Sequence, residues 1–168
     1  MLVEGNNIII VPELEGSWLW GGQEQGYYEL LTFNEDHTYT GYDNYFTYGF
    51  DTMTFGWWGQ MGAMLSLQSN GFGYQRRYNW YVTDLTENAL GVMTKMGPFT
   101  YYKLQDDVIR INKDGSLCFD QDEECVFADG IIVQQDGSQL IGVSEGETYI
   151  LKKVIPSQLI WAYKVIVE

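Results

Sequence analysis

The sequence predicts an all-β protein, and three features predict it. Short runs rich in Tyr, Val, Ile, Thr, Trp and Phe recur along the whole chain, the residues that pack well on a pleated, half-buried surface. Gly, Asn and Asp interrupt these runs about every 8–12 residues, the spacing of a sandwich or barrel. No window sustains apolar residues at i, i+3 and i+4 between helix caps.

In chain order, the first strand carries Gly16-Ser17-Trp18, and Tyr27 to Asn34 is the next. Asn34-Glu35-Asp36-His37 turns the chain into a returning strand from Thr38 to Tyr45. The stretch from Met61 to Gln68 alternates around small residues, and Ser69-Asn70-Gly71 is a hairpin-type turn. Gln75 to Thr83 follows as a long strand, with Tyr78, Trp80 and Val82 on one face and Asn79, Tyr81 and Thr83 on the other. Thr86-Glu87-Asn88 leads into a strand from Ala89 to Thr94, and Phe99 to Leu104 closes this half. Aromatics then thin out and Ile and Val take over, so a domain boundary is placed near Gln105-Asp106-Asp107. The expected domains are residues 1–104 and 105–168, each a barrel or sandwich. In the second, Val108 to Asn112 and Ile160 to Val167 are strands, with turns at Lys113-Asp114-Gly115, Asp129-Gly130, Asp136-Gly137 and Ser144-Glu145-Gly146.

Composition excludes several functions. The 168 residues are 45% hydrophobic and 16% aromatic, enough for a packed core. Nine Lys and Arg stand against 23 Asp and Glu, a formal net charge of -14. Phosphate binding releases counterions from a basic stripe, and there is none, so neither nucleic acid nor an anionic membrane surface is expected as a partner. The acidity serves solubility on the plain reading, and a cationic partner or a calcium site on the sharper one. No apolar run approaches a membrane span, and Met1-Leu2-Val3-Glu4-Gly5 lacks the basic and apolar parts of a secretory leader.

The ordered set of motifs resembles the bacterial lipocalin-like domains of surface lipoproteins. The carrying residues are Gly16-Ser17-Trp18, then Leu30-Leu31-Thr32-Phe33-Asn34-Glu35-Asp36-His37-Thr38-Tyr39-Thr40. Phe55-Gly56-Trp57-Trp58, Tyr78 to Thr86 and Thr100-Tyr101-Tyr102-Lys103-Leu104 follow, so the resemblance covers about residues 14–104. It implies a small up-and-down barrel, held outside the cytoplasm as a secreted or cell-surface lipoprotein whose leader is absent from this chain. His37 stands where such turns usually have Gly: either it takes left-handed backbone or the turn is of another type. In lipocalins an Arg of the last strand commonly covers the Trp of Gly-x-Trp; Lys103 is the nearest candidate here. The second half is similar to bacterial immunoglobulin-like domains of the intimin/invasin type, through Ile131 to Gly137, Leu140 to Ile150 and a final strand at Lys164-Val165-Ile166-Val167.

Candidate sites are few. Aromatics concentrate between Tyr42 and Tyr81, which suits a barrel mouth or a sugar-stacking platform as well as a filled interior. Trp57, Trp58, Tyr78 and Trp80 are the candidate ligand contacts, with Arg76 and Arg77 as a clamp for a carboxylate or sulfate. Trp57 and Trp58 are adjacent on one strand, so one of them faces outward, toward solvent, a partner or the other domain. Cys118 and Cys125 flank an acidic loop and are either a disulfide pair or two reduced thiols. Asp120-Gln121-Asp122-Glu123-Glu124 offers oxygen ligands to calcium but lacks the EF-hand Gly and distal Glu, so no metal is assigned. The single His37 lies far from either cysteine in sequence, and no nucleophile–base pair or phosphate-cradling Gly motif stands out.

The expectation is a non-catalytic, cofactor-free binding protein for a small apolar or sugar-like ligand. The alternative is a structural or adhesion component with a filled barrel and an aromatic protein-contact surface.

Overall fold

The computed structural model describes residues 14–22, 26–44, 52–61, 63–69 and 76–168, and the side chains of all of these except 52–61, 69, 76 and 77. Among the described residues the chain is almost wholly strand, and no helix is long and apolar enough to cross a membrane. Eight strands come first: β1 (Gly16–Gly21), β2 (Tyr28–Phe33), β3 (Thr38–Asp43), β4 (Thr52–Met61), β5 (Met64–Ser69), β6 (Arg76–Leu85), β7 (Ala89–Thr94) and β8 (Gly97–Ile111). Each pairs antiparallel with the next, an up-and-down meander. β8 returns to β1, but only through Trp18 opposite Lys103 and Leu19 opposite Tyr102. β1 and β2, by contrast, pair over their full length from Gly16 opposite Phe33 to Gly21 opposite Tyr28. The sheet thus curls into a barrel-like ring whose last seam is too short to close it fully.

The hairpin between β2 and β3 resolves the question at His37, which takes left-handed backbone with φ 70°. Asp36 supports it, its carboxylate accepting the Thr38 N–H at 3.0 Å and the Thr38 hydroxyl at 2.6 Å. These local bonds offset the cost of positive φ in a non-glycine residue.

β8 runs straight through residues 105–107. Its first part pairs with β7, while its last part pairs in parallel with β14 (Leu159–Val167), from Val108 opposite Lys164 to Ile111 opposite Val167. β14 continues to β13 (Gly146–Val154), and β13 to β10 (Glu123–Phe127). A separate three-stranded sheet runs in the order β11 (Val133–Asp136), β12 (Gln139–Gly142), β9 (Ser116–Cys118). The two sheets share one core of Ile111, Cys125, Val133, Leu140, Ile150, Val165 and Val167.

The ring has its own core, and a third cluster joins the halves. Alternation puts Trp18, Leu31 and Tyr101 inside the ring and Leu19, Tyr28 and Tyr102 outside it. The outward set packs with Phe127, Leu151 and Ala162 of the second half. Asn88, buried in the turn between β6 and β7, donates to the Ile160 carbonyl at 3.1 Å.

That junction predicts an alkaline weakness. Burial pushes the phenols of Tyr28, Tyr102 and Tyr149 above their ordinary value of 10.0, Tyr28 furthest, where the Tyr42 phenol beside it adds to the burial. A raised phenol pKa gives stability that is whole below the unfolded value and is lost as pH climbs past it. Lys103 works the other way: desolvation lowers its pKa from 10.5, so its cost fades as pH rises. At the junction three groups act against one, and outside it the buried Cys125 thiol and Lys164, both also raised, act in the same direction as the tyrosines, so the net is a fall. The urea midpoint is expected to drop between about pH 9.5 and 11, less steeply in Tyr28→Phe. A flat midpoint across that window would rule the coupling out.

Candidate functional site

The ring interior is unevenly filled. At the level of Trp18 it is solid: Leu14, Trp18, Phe33, Tyr39, Leu65, Leu90 and Val92 are all buried. Gly16 explains part of this floor. Its φ is 108°, and a Cβ there would stand 2.5 Å from the Lys103 ammonium nitrogen. The Gly-x-Trp spacing therefore lets Lys103 cross the strand, donate to the Glu15 carbonyl and lie 4.5 Å over the Trp18 ring centroid. The Trp18 indole N–H donates to the Leu14 carbonyl at 2.9 Å. Lys103 thus covers the Trp18 ring.

Above that floor the ring opens into a cavity of about 750 Å³, within the range of small-molecule sites. Its walls are Trp20 of β1, Glu29 of β2, Tyr78 and Trp80 of β6, and Phe99 and Tyr101 of β8. Lys95 and Met96, in the turn from β7 to β8, stand at the rim, and Met96 is 88% exposed. Trp20 and Phe99 meet edge to face at 5.3 Å, and Trp80 stacks on Tyr101 at 6.1 Å. These contacts fix the rings in place along the wall. The Tyr101 hydroxyl donates to Glu29 Oε1 at 2.7 Å. Among the described residues, Glu29 and Lys95 are the charged side chains that line the cavity.

Of the residues singled out from sequence, Tyr78 and Trp80 stand together in this wall. The side chains of Trp57, Trp58, Arg76 and Arg77 lie outside the described residues; the backbone register sets Trp58 opposite Leu67 and Arg77 opposite Gln68. Sequence reasoning passed over Trp20, Glu29, Phe99 and Tyr101. The signal for two of them was alternation: if Trp18 and Leu31 face inward, so do Trp20 and Glu29.

Cys118 and Cys125 are both free, so no disulfide staples this region. Cys118 is exposed on β9 of one sheet, while Cys125 is buried on β10 of the other, where its thiol donates to the Phe127 carbonyl at 3.1 Å. Burial pushes that thiol up to about 11, which keeps it protonated and inert. In the acidic loop, Glu123 pairs with Lys152 at 2.9 Å and Glu124 with Lys153 at 3.4 Å. Among the described residues, no three His, Cys, Asp or Glu side chains gather in a way that could hold a metal ion.

No protein-family model and no curated protein matches the chain. Among solved structures, the chain is similar to a lipocalin-like protein from Bacteroides uniformis ATCC 8492, at 18% sequence identity and a TM-score of 0.40, over 54% of this chain and 98% of that one.

Proposed function

We propose that the protein is a non-catalytic binding protein, working outside the cytoplasm, that takes a small ligand with an apolar or sugar-like body into the cavity of the β1–β8 ring. The observation that carries this reading is the cavity itself. A purely structural barrel fills its interior with side chains; among the described residues, the buried cluster around Trp18 fills part of this one, and held aromatic rings line a space beyond it. Such rings cover apolar ligands and the C–H faces of sugars with little rotor entropy to lose. His37 sits in the turn between β2 and β3, at the other end of the ring from Met96, a placement that supports a binding rather than a hydrolytic role.

The second half we read as an immunoglobulin-like sandwich that serves as a platform. The order β8–β14–β13–β10 facing β11–β12–β9, with the first strand parallel to the last, supports that reading. Fractionation of the native cell tests the location, and recovery with the cytosol would overturn it.

Binding is tested by thermal shift and intrinsic Trp fluorescence against fatty acids, sterols and short glycans. A ligand at a hundred times its Kd adds about 2.7 kcal/mol, an upward Tm shift of roughly 5–11 °C for a chain of this size. Trp80→Ala is expected to weaken that ligand at least about tenfold, since it removes a stacked wall. A ligand held equally well by Trp80→Ala would place its site elsewhere.

A further inference from the structure

We infer that Met96 is an oxidation-sensitive contact of this cavity: a hydroperoxide converts its thioether to the sulfoxide and thereby weakens the ligand held there. The inference rests on the cavity being the binding site. Two observations meet at this residue. Met96 is almost wholly exposed, and it lines the cavity. The other described methionine side chains do not combine the two. Met64 and Met93 each adjoin a ring-core residue, Leu65 and Val92, so alternation turns both outward. Met64 is half-buried and Met93 is 41% exposed.

The turn holds Met96 in this place. β7 ends at Thr94 and β8 begins at Gly97. The Met96 N–H donates to the Thr94 hydroxyl at 3.0 Å, and that hydroxyl donates to the Gly97 carbonyl at 3.1 Å. Gly97 takes φ 118°, a conformation that side chains rarely adopt. The tip of so short a hairpin is ordinarily polar or glycine, and none of the three core clusters includes Met96. A ligand that covers Met96 removes its flexible apolar side chain from water, which stabilises the complex.

Oxidation reverses the sign of that contact. A sulfur lone pair attacks one peroxide oxygen, the O–O bond breaks, the S–O bond of the sulfoxide forms, and water leaves when the oxidant is hydrogen peroxide. Sulfur is oxidised and the peroxide reduced. Susceptibility follows exposure, and the product is polar. Covering a sulfoxide without a hydrogen-bond partner costs desolvation where covering the thioether brought a gain.

The test uses N-phenyl-1-naphthylamine, a neutral aromatic fluorophore, titrated before and after brief exposure of the protein to dilute hydrogen peroxide. Peptide mass spectrometry locates each added oxygen. Oxygen is expected at Met96 ahead of Met93 and Met64, with probe affinity falling about three- to tenfold. Methionine sulfoxide reductases with dithiothreitol are expected to restore it. Met96→Leu keeps an apolar contact, so it is expected to bind the probe within about twofold of the parent and to be unmoved by peroxide. Trp80→Ala reports on the cavity separately. If Trp80→Ala weakens the probe while oxidation of Met96 does not, this inference falls and the cavity reading stands. A peroxide effect of equal size in Met96→Leu, or oxygen added first at Met93 or Met64, also overturns it. If the parent does not bind the probe, or Trp80→Ala binds it equally well, the cavity reading falls, and this inference with it.

Discussion

Trp18→Ala is expected to lower stability by about 3–5 kcal/mol, the usual cost of emptying a buried aromatic site, and Tm by roughly 6–20 °C. Trp18 is 0% exposed and belongs to the core that floors the ring. Its loss leaves more than a void. The Leu14 carbonyl loses its indole donor, and the Lys103 ammonium, whose pKa desolvation already lowers, loses the ring face beneath it. The seam between β8 and β1 has only two residue pairs, and Trp18 opposite Lys103 is one of them, so the damage falls where the ring is least tied. Trp18→Phe keeps most of the volume and is expected to recover about half the loss. Urea and thermal unfolding of the three proteins decide it. A Tm for Trp18→Ala within about 2 °C of the parent would mean that the ring does not depend on this floor.

The same residues show how far sequence carries. The β2–β3 hairpin, β7 and β14 were legible because each alternates cleanly and ends on a turn. β8 was legible only in part. Its Gln105-Asp106-Asp107 segment reads as a boundary, yet these residues are strand, with both aspartates exposed. The strand survives there because its partners change from β7 and β1 to β14, a long-range event that local composition does not encode. The acidic loop misleads for a similar reason. Glu123 and Glu124 look like a solvated charge run but are strand residues of β10 that pair with Lys152 and Lys153 of β13 respectively, cross-strand pairing of opposite charge that sequence spacing does not reveal. At the site, aromatic density pointed to Tyr78 and Trp80. Glu29 was missed although its place two residues before Leu31 sets it on the inward face, because a charged residue there reads as an outward one. Its partner Tyr101 lies 72 residues away and comes into reach only once β8 returns to β1.

Asp129→Ala is expected to cost about 4 kcal/mol, within the range for removing one partner of a buried charged network, and roughly 8–16 °C in Tm. Asp129 is only 6% exposed, and its carboxylate organises the chain entering β11. Oδ1 accepts the N–H groups of Ile131 and Ile132 at 2.9 Å each and of Val133 at 3.1 Å, while Oδ2 accepts the Thr148 hydroxyl at 2.7 Å. Alanine strands three backbone donors and a buried hydroxyl together. The loss would spread beyond the sandwich. Gly26, just before β2, has φ 68°, and a Cβ there would stand 1.9 Å from the Asp129 carbonyl oxygen, so the two backbones touch at the junction. Asn44 secures the other side, donating to the Gly26 carbonyl at 3.0 Å and accepting the Tyr28 N–H at 2.7 Å. A shift of Asp129 therefore reaches Tyr28 and the joining core. Asp129→Asn keeps one oxygen for the three N–H groups and presents an amide to the Thr148 hydroxyl, so its cost is expected to be about 1–2 kcal/mol. If unfolding of the alanine variant stays a single transition at lower urea, with tyrosine and tryptophan signals moving together, the halves share one cooperative unit through this contact. If the second half melts first and the ring fluorescence is unmoved, the junction is weaker than its packing suggests. An alanine variant within about 1 kcal/mol of the parent would show that Asp129 does not hold the turn at all.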